Sequence, residues 1–168
     1  GIGLIEVGVP AAAILDGNRS ASGWLLAMWS VGSLVGGIVS SRFRWRGGPA
    51  YRLPRLLATL SIGTLFVTGG WLLGLGWLAA ALFVAGLALA PTLAACYGVI
   101  GEVTVTPRRT DAFAWAVTFI LLGLGVGPTI GGALAEITPT LTFVAGTGVT
   151  LLALAAWLLM SHHAAGRA

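Results

Sequence analysis

The chain contains no lysine, a single cysteine, two histidines and only 8% charged residues among its 168. Each scarcity closes a class. A water-soluble domain covers its surface with charge at about a quarter of its residues, so a soluble globular fold is excluded. One cysteine, Cys96, excludes an intramolecular disulfide. It lies in an apolar run and reads as a small packed hydrophobe rather than a reactive thiol. His162 and His163 stand together near the C-terminus with no cysteine or acid beside them, so no metal site and no cofactor is implied. An intramembrane enzyme needs a nucleophile and a base at one depth. The only histidines are these two, and neither G-x-S-x-G nor H-E-x-x-H occurs, so the reading is not an enzyme. No nucleotide loop of the form G-x-x-x-x-G-K-[ST] is found either.

What remains is apolar. Hydrophobic residues make up 57% of the chain, and the mean hydropathy is +0.97. A bilayer-spanning helix needs about 20 mostly apolar residues, so the length holds six spans joined by short links. The expected fold is all-α, a polytopic membrane bundle with spans at 1–15, 24–41, 55–75, 77–100, 112–136 and 141–160. The first run opens at Gly1 without a basic n-region and is interrupted by Glu6. That pattern predicts a first helix truncated at its start rather than a signal peptide.

The nine arginines and five acids leave a net charge of +4. Arg42, Arg44, Arg46, Arg52 and Arg55 fall in one link, which the positive-inside rule places in the cytoplasm. No basic surface extends beyond it, so nucleic acid is not an expected partner. Arg108, Arg109 and Arg167 fall on the same side, while the links at 16–23, 74–76 and 136–140 carry only Arg19. Six spans require this alternation. It predicts a multi-pass protein of the plasma membrane with the 42–55 link and the C-terminus cytoplasmic. Tryptophans favour the water–lipid boundary. Trp24, Trp71 and Trp77 fall near outer ends, and Trp45, Trp115 and Trp157 near inner ends. Trp29 alone sits deeper.

An internal repeat relates the two halves. Val31-Gly32-Ser33-Leu34-Val35-Gly36-Gly37 in the second span matches Val126-Gly127-Pro128-Thr129-Ile130-Gly131-Gly132 in the fifth. The first span of each triplet carries a proline, Pro10 and Pro91. Two triplets running in opposite directions are the pattern of inverted repeats in secondary transporters. Gly32/Gly36 and Gly127/Gly131 are small-xxx-small pairs that let backbones approach, as static packing or as sliding contacts. Pro91 and Pro128 each remove a helical hydrogen bond. With Trp29 they are candidates for cavity or gating positions. The third and sixth spans contain no internal proline, read as evenly apolar, and are expected at the lipid-facing periphery.

Glu6 is the acid placed deepest. It lies nine residues before Leu15, which is about 13 Å along a helix and close to the middle of a hydrocarbon core of about 30 Å. An ionised acid there costs a few kcal/mol and ordinarily faces the bundle interior. Its readings are proton coupling or substrate binding, an interhelical hydrogen bond, or a span boundary lying elsewhere. Glu102, Asp111, Arg108 and Arg109 at inner span ends read as interfacial charges or as a gating ion pair.

These features resemble the major facilitator superfamily, over essentially the whole chain, as its last six helices of twelve. The family's loop signature G-x-L-a-D-r-x-G-r-r has a counterpart at Gly37-Ile38-Val39-Ser40-Ser41-Arg42-Phe43-Arg44-Trp45-Arg46. Gly37, Arg42 and Arg46 agree, while Ser41 replaces the acid and Arg44 the glycine. Gly123-x-Gly125-x-Gly127-Pro128-x-x-Gly131-Gly132 is similar to the antiporter motif of exporters, displaced to the symmetry-related helix. Glu6-Val7-x-x-Pro10, Ala90-Pro91-Thr92 and Asp111-Ala112-Phe113-Ala114-Trp115 are similar to a bacterial drug- or sugar-efflux branch. The resemblance implies that residues 1–168 are the C-terminal half of such a protein, two inverted three-helix repeats partnered by a missing N-terminal six-helix half. It implies a secondary transporter that moves a small-molecule substrate across the lipid bilayer by alternating access, coupled to protons through Glu6. The alternative is a six-helix substrate-binding subunit of an energy-coupled importer.

Overall fold

The structure, a computed structural model, describes residues 1–42 and 47–165, with side chains as far as Ser161. Arg44, Trp45, Arg46 and Arg167 lie outside the described residues, as do the side chains of His162 and His163. The described residues form six α-helices and no strand: α1 (Ile2–Leu15), α2 (Ala21–Arg42), α3 (Pro49–Leu72), α4 (Leu75–Val103), α5 (Arg109–Ile137) and α6 (Pro139–Ala165). A short 3-10 turn, Thr106–Arg108, leads into α5. Five of the six are long and apolar enough to cross a membrane, and α1, at 14 residues, is shorter.

Proline and glycine decide the ends. Pro49 opens α3 behind Gly48, whose extended backbone (φ −71°, ψ 173°) makes the N-cap; the first helical position has no use for an N–H and suits proline. Pro139 opens α6 in the same way. Between α3 and α4 the chain reverses through Gly74 at φ +106°, a conformation that a β-carbon would strain.

The start at Pro49 corrects two expectations. Arg52 and Arg55 stand on the first turns of α3 rather than in a link, and α3 does contain an internal proline, Pro54. Close to the helix end, the carbonyl that Pro54 frees is near water and the break is cheap. Cations also oppose the dipole at a helix N-terminus. Arg52 offsets this locally by donating Nε–H and Nη2–H to the Gly47 carbonyl at 3.0 and 2.9 Å. Arg55 donates to the Tyr51 hydroxyl at 2.6 Å and lies 4.1 Å from the centre of its ring.

Exchanging α1 with α4, α2 with α5 and α3 with α6 maps the main packing onto itself. α2 packs on α4 and α5 on α1; α3 packs on α4 and α6 on α1; α3 and α6 pack on each other. The bundle is therefore a pair of inverted triplets. Its core joins Ile5 and Val9 of α1, Leu25 and Trp29 of α2, Leu78 and Leu82 of α4, and Phe143 of α6. Outside it, apolar side chains remain exposed on every large face, among them Leu34 and Ile38, Leu65 and Phe66, Leu121 and Leu122, Leu151 and Leu152. Such a surface suits lipid and no aqueous solvent.

The third and sixth helices are not evenly apolar, which corrects a further expectation. Thr64 meets Thr150 across their interface at 3.1 Å, Thr68 meets Thr147 at 3.2 Å, and the Trp71 indole donates to Thr140 Oγ1 at 3.1 Å. In lipid the hydrophobic effect gives no drive between helices, so such hydroxyl pairs bind them together. Steps of three and four on α3 (Ser61, Thr64, Thr68) and of seven and three on α6 (Thr140, Thr147, Thr150) place them on one face of each helix and keep them invisible to a mean hydropathy. Ser61 continues the row, buried at 2% exposure, and its Oγ has no partner among the described residues. A Thr64→Val/Thr150→Val double-mutant cycle, read by unfolding in mixed micelles, is expected to give a coupling of about 0.6 kcal/mol. Ser61→Ala is expected to be neutral or mildly stabilising, because it removes a desolvated hydroxyl that makes no bond.

Candidate functional site

Two glycine seams organise the inner helices. On α2, a β-carbon at Gly36 would strike the Leu87 carbonyl, lying 2.6 Å from its carbon, and one at Gly32 would strike the Phe83 carbonyl oxygen. Gly86 of α4 reciprocates against the Trp29 carbonyl. Pro91 supplies a reason for this closeness. It has no N–H, so the Leu87 carbonyl four residues earlier loses its helical partner. The α2 backbone at Gly36 closes over that oxygen, where only a Cα hydrogen fits.

The symmetry-related seam is looser. A β-carbon on Gly127 would lie 3.4 Å from Gly3 Cα, and one on Gly131 would lie 3.3 Å from Val7 Cβ. Pro128 is half-buried in this seam and meets α1 at Gly3.

Pro10 acts on α1 as Pro91 acts on α4. The carbonyl it frees belongs to Glu6. Here no glycine closes over the oxygen, because Gly131 meets Leu4 and Val7 instead. Ile5 and Gly8 face α6, at Gly146 and Phe143. That leaves Glu6, Pro10 and Ile14, spaced four apart, on a stripe of α1 that neither α5 nor α6 covers. Glu6 and Pro10 are half-buried and Ile14 is 49% exposed. No other described residue makes a hydrogen bond or ion pair to the Glu6 carboxylate. One residue thus presents a carboxylate and a freed backbone carbonyl, an acceptor-only pair suited to a proton donor or a cation.

Beside it, α5 is the least covered helix, and Gly131 is its sole buried residue. α5 contains Pro128 and is more exposed than α3. Its open side carries a groove lined by Thr118, Leu122, Gly125, Val126 and Thr129, which continues past Trp115 to Asp111. Thr118 and Thr129 donate to their own helix, to the Ala114 and Gly125 carbonyls, both at 2.9 Å. Their lone pairs stay available to a ligand. This stripe is visible in the sequence only once the α1-facing side of α5 is known.

The other candidates disperse. Trp29 is 4% exposed, in the core that α1, α2 and α4 share. Pro91 and Gly37 border a separate cavity between α2, α3 and α4, and Arg42 ends α2 beside it. Arg109 donates to the Thr104 carbonyl at 3.2 Å. Among the described residues no ion pair joins Arg108 or Arg109 to Glu102 or Asp111. The described residues also hold no group of three or more potential metal ligands.

A search of curated proteins and one of solved structures returned no match to this chain. The sequence profile of the Major Facilitator Superfamily matches residues 2–167. With that match and a bundle of two inverted helical triplets, the chain belongs to the Major Facilitator Superfamily, a superfamily of membrane transporters.

Proposed function

We propose that this chain is half of a proton-coupled secondary transporter of the drug- or sugar-efflux kind, working by alternating access in the plasma membrane. The observation that carries the reading is Glu6, an acid with a freed carbonyl on the uncovered stripe of α1, next to the open side of α5. An acid held among apolar helices is costly unless it serves a pathway. The uncovered sides of α1 and α5 face a second six-helix unit, the N-terminal half, and the small-molecule cargo passes between the two. Threonine hydroxyls, Trp115 and apolar side chains on α5 suit a cargo with both polar and apolar parts. The Glu6 carboxylate accepts the coupling proton.

The test uses everted membrane vesicles from cells expressing the protein, energised by an imposed pH gradient. A panel of fluorescent lipophilic cations and labelled sugars is expected to include a compound whose accumulation collapses with a protonophore. Accumulation that survives the protonophore and requires ATP would overturn the reading in favour of a subunit of an energy-coupled importer.

The arginine-bearing side of the bundle faces the cytoplasm in this reading. In a Cys96→Ala background, Asn18→Cys in the first link is expected to react with an impermeant maleimide in intact cells. Arg108→Cys is expected to react only after the membrane is permeabilised. The reverse pattern would invert the topology.

A further inference from the structure

At the end of the bundle remote from Arg52 and Arg55, a groove of about 590 Å³ runs between α3 and α4. That size is within the range of small-molecule sites, roughly 300–1,000 Å³. Its floor is where the two helices touch: a β-carbon on Gly70 would lie 3.2 Å from Ala81 Cβ. Small residues there let the backbones close together, and larger neighbours rise on either side. Phe66 of α3 and Leu73 just past its end form one wall, and Trp77 and Val84 of α4 form the other. All four are more than half exposed. Gly69 leaves a notch in the α3 wall, with nothing within 4 Å of the place a β-carbon would take.

The groove faces away from the rest of the bundle. On α4, Gly86 meets α2, and Trp77 and Val84 lie about half a turn around from it. On α3, Thr64 and Thr68 meet α6, and Phe66 lies on the opposite side. Hydrogen bonding is offered at one point. The Trp77 indole is the only polar side chain of the lining, and its Nε1–H has no partner among the described residues. Trp77 stands on the first turn of α4, as indoles do at the water–lipid boundary. The groove thus presents one donor at its boundary end. From Trp77 to Val84 the surface beyond it is hydrocarbon, for about 10 Å.

We infer that this groove holds one acyl chain of a membrane phospholipid, with the ester carbonyl at the Trp77 indole. The carbonyl accepts from Nε1–H. The first part of the chain lies over Gly70 and Ala81, where close packing between the walls adds dispersion contacts. A second copy of this chain is a poorer occupant. A two-fold contact would bring the same face against itself, and that face has no side-chain acceptor for either indole. The inference rests on membrane embedding and stands whether or not Glu6 couples protons.

The test is native mass spectrometry of the delipidated protein in detergent, titrated with a diester phosphatidylcholine. One lipid is expected to bind saturably. Gly69→Leu places a side chain in the notch and is expected to weaken the site at least tenfold, with the elution profile unchanged. Gly148→Leu on α6, where a β-carbon likewise meets nothing within 4 Å, should leave it unchanged. Trp77→Phe keeps a ring and removes the donor, and is expected to weaken binding by about fivefold, one neutral hydrogen bond. The diether analogue, which lacks the carbonyl, should show the same loss in the parent and no further loss in Trp77→Phe. Unchanged binding in Gly69→Leu would overturn the inference, as would equal losses in Gly69→Leu and Gly148→Leu, the mark of an unspecific lipid coat. A large preference for phosphatidylglycerol would place recognition in the headgroup and overturn it too. So would a protein dimer that Gly69→Leu dissociates, which would assign the groove to a second copy.

Discussion

Replacing Gly36 by alanine is expected to destabilise the bundle by about 3 kcal/mol or more, at or above the usual range for overpacking. On an exposed helix the same change stabilises by up to about 1 kcal/mol, because alanine is the better helix former. Context reverses the sign. The new methyl would enter the space held by the Leu87 carbonyl, and backbone cannot rotate aside as a side chain can. Separating α2 from α4 would also uncover the oxygen that Pro91 leaves without a helical partner, at a site with no water to take its place. Gly32→Ala is expected to behave likewise against Phe83. Gly127→Ala, in the looser seam, should be near neutral, and Gly148→Ala, where nothing lies within 4 Å, should stabilise slightly. Thermal unfolding in detergent, with the fraction of monodisperse protein as a second readout, gives the order. Equal tolerance of Gly36→Ala and Gly148→Ala would show that the close approach of α2 and α4 does not hold the bundle together.

Glu6→Gln is expected to bring gradient-driven transport down to the level of protein-free liposomes while leaving the fold intact. The amide keeps the shape of the side chain and removes its titration. No described residue depends on the carboxylate for a hydrogen bond, so the elution profile and thermal midpoint should match those of the parent. Removing an ionisable group from an apolar bundle is not expected to lower stability. Proteoliposomes with and without a pH gradient separate the roles within the proposal. Loss of uphill transport with retained downhill exchange assigns Glu6 to proton coupling; loss of both assigns it to the cargo. Glu6→Asp, which keeps the acid on a shorter arm, should restore part of the uphill flux. Unchanged uphill transport in Glu6→Gln would remove Glu6 from the mechanism. Pro10→Ala provides an independent probe, since it returns a helical partner to the Glu6 carbonyl while leaving the carboxylate in place.

Residue composition and spacing were enough to determine the membrane class, the all-helical fold and the inverted repeat. Those properties follow from sums and periods along the chain: too little charge for water, apolar runs of bilayer length, V-G-x-x-[VI]-G-G in the second and fifth helices. The ends of α3 were legible in principle, because Gly48-Pro49 is a helix start, but five arginines in one stretch suggested a link. The hydroxyl row between α3 and α6 was not legible. Threonines at helical spacing on two apolar segments leave mean hydropathy high, and only the pairing of α3 with α6 brings Thr64 to Thr150. Likewise, Pro10 and Pro91 are equivalent in the sequence, each freeing a carbonyl four residues earlier. Tertiary packing alone makes them different: α2 closes over Leu87 with a glycine, whereas the α5 glycines meet α1 at Gly3, Leu4 and Val7 and not at the Glu6 carbonyl. A sequence states which backbone groups lose their partners. Which of them is then covered depends on the approach of a second helix, whose distance and rotation are set by side chains far from it along the chain.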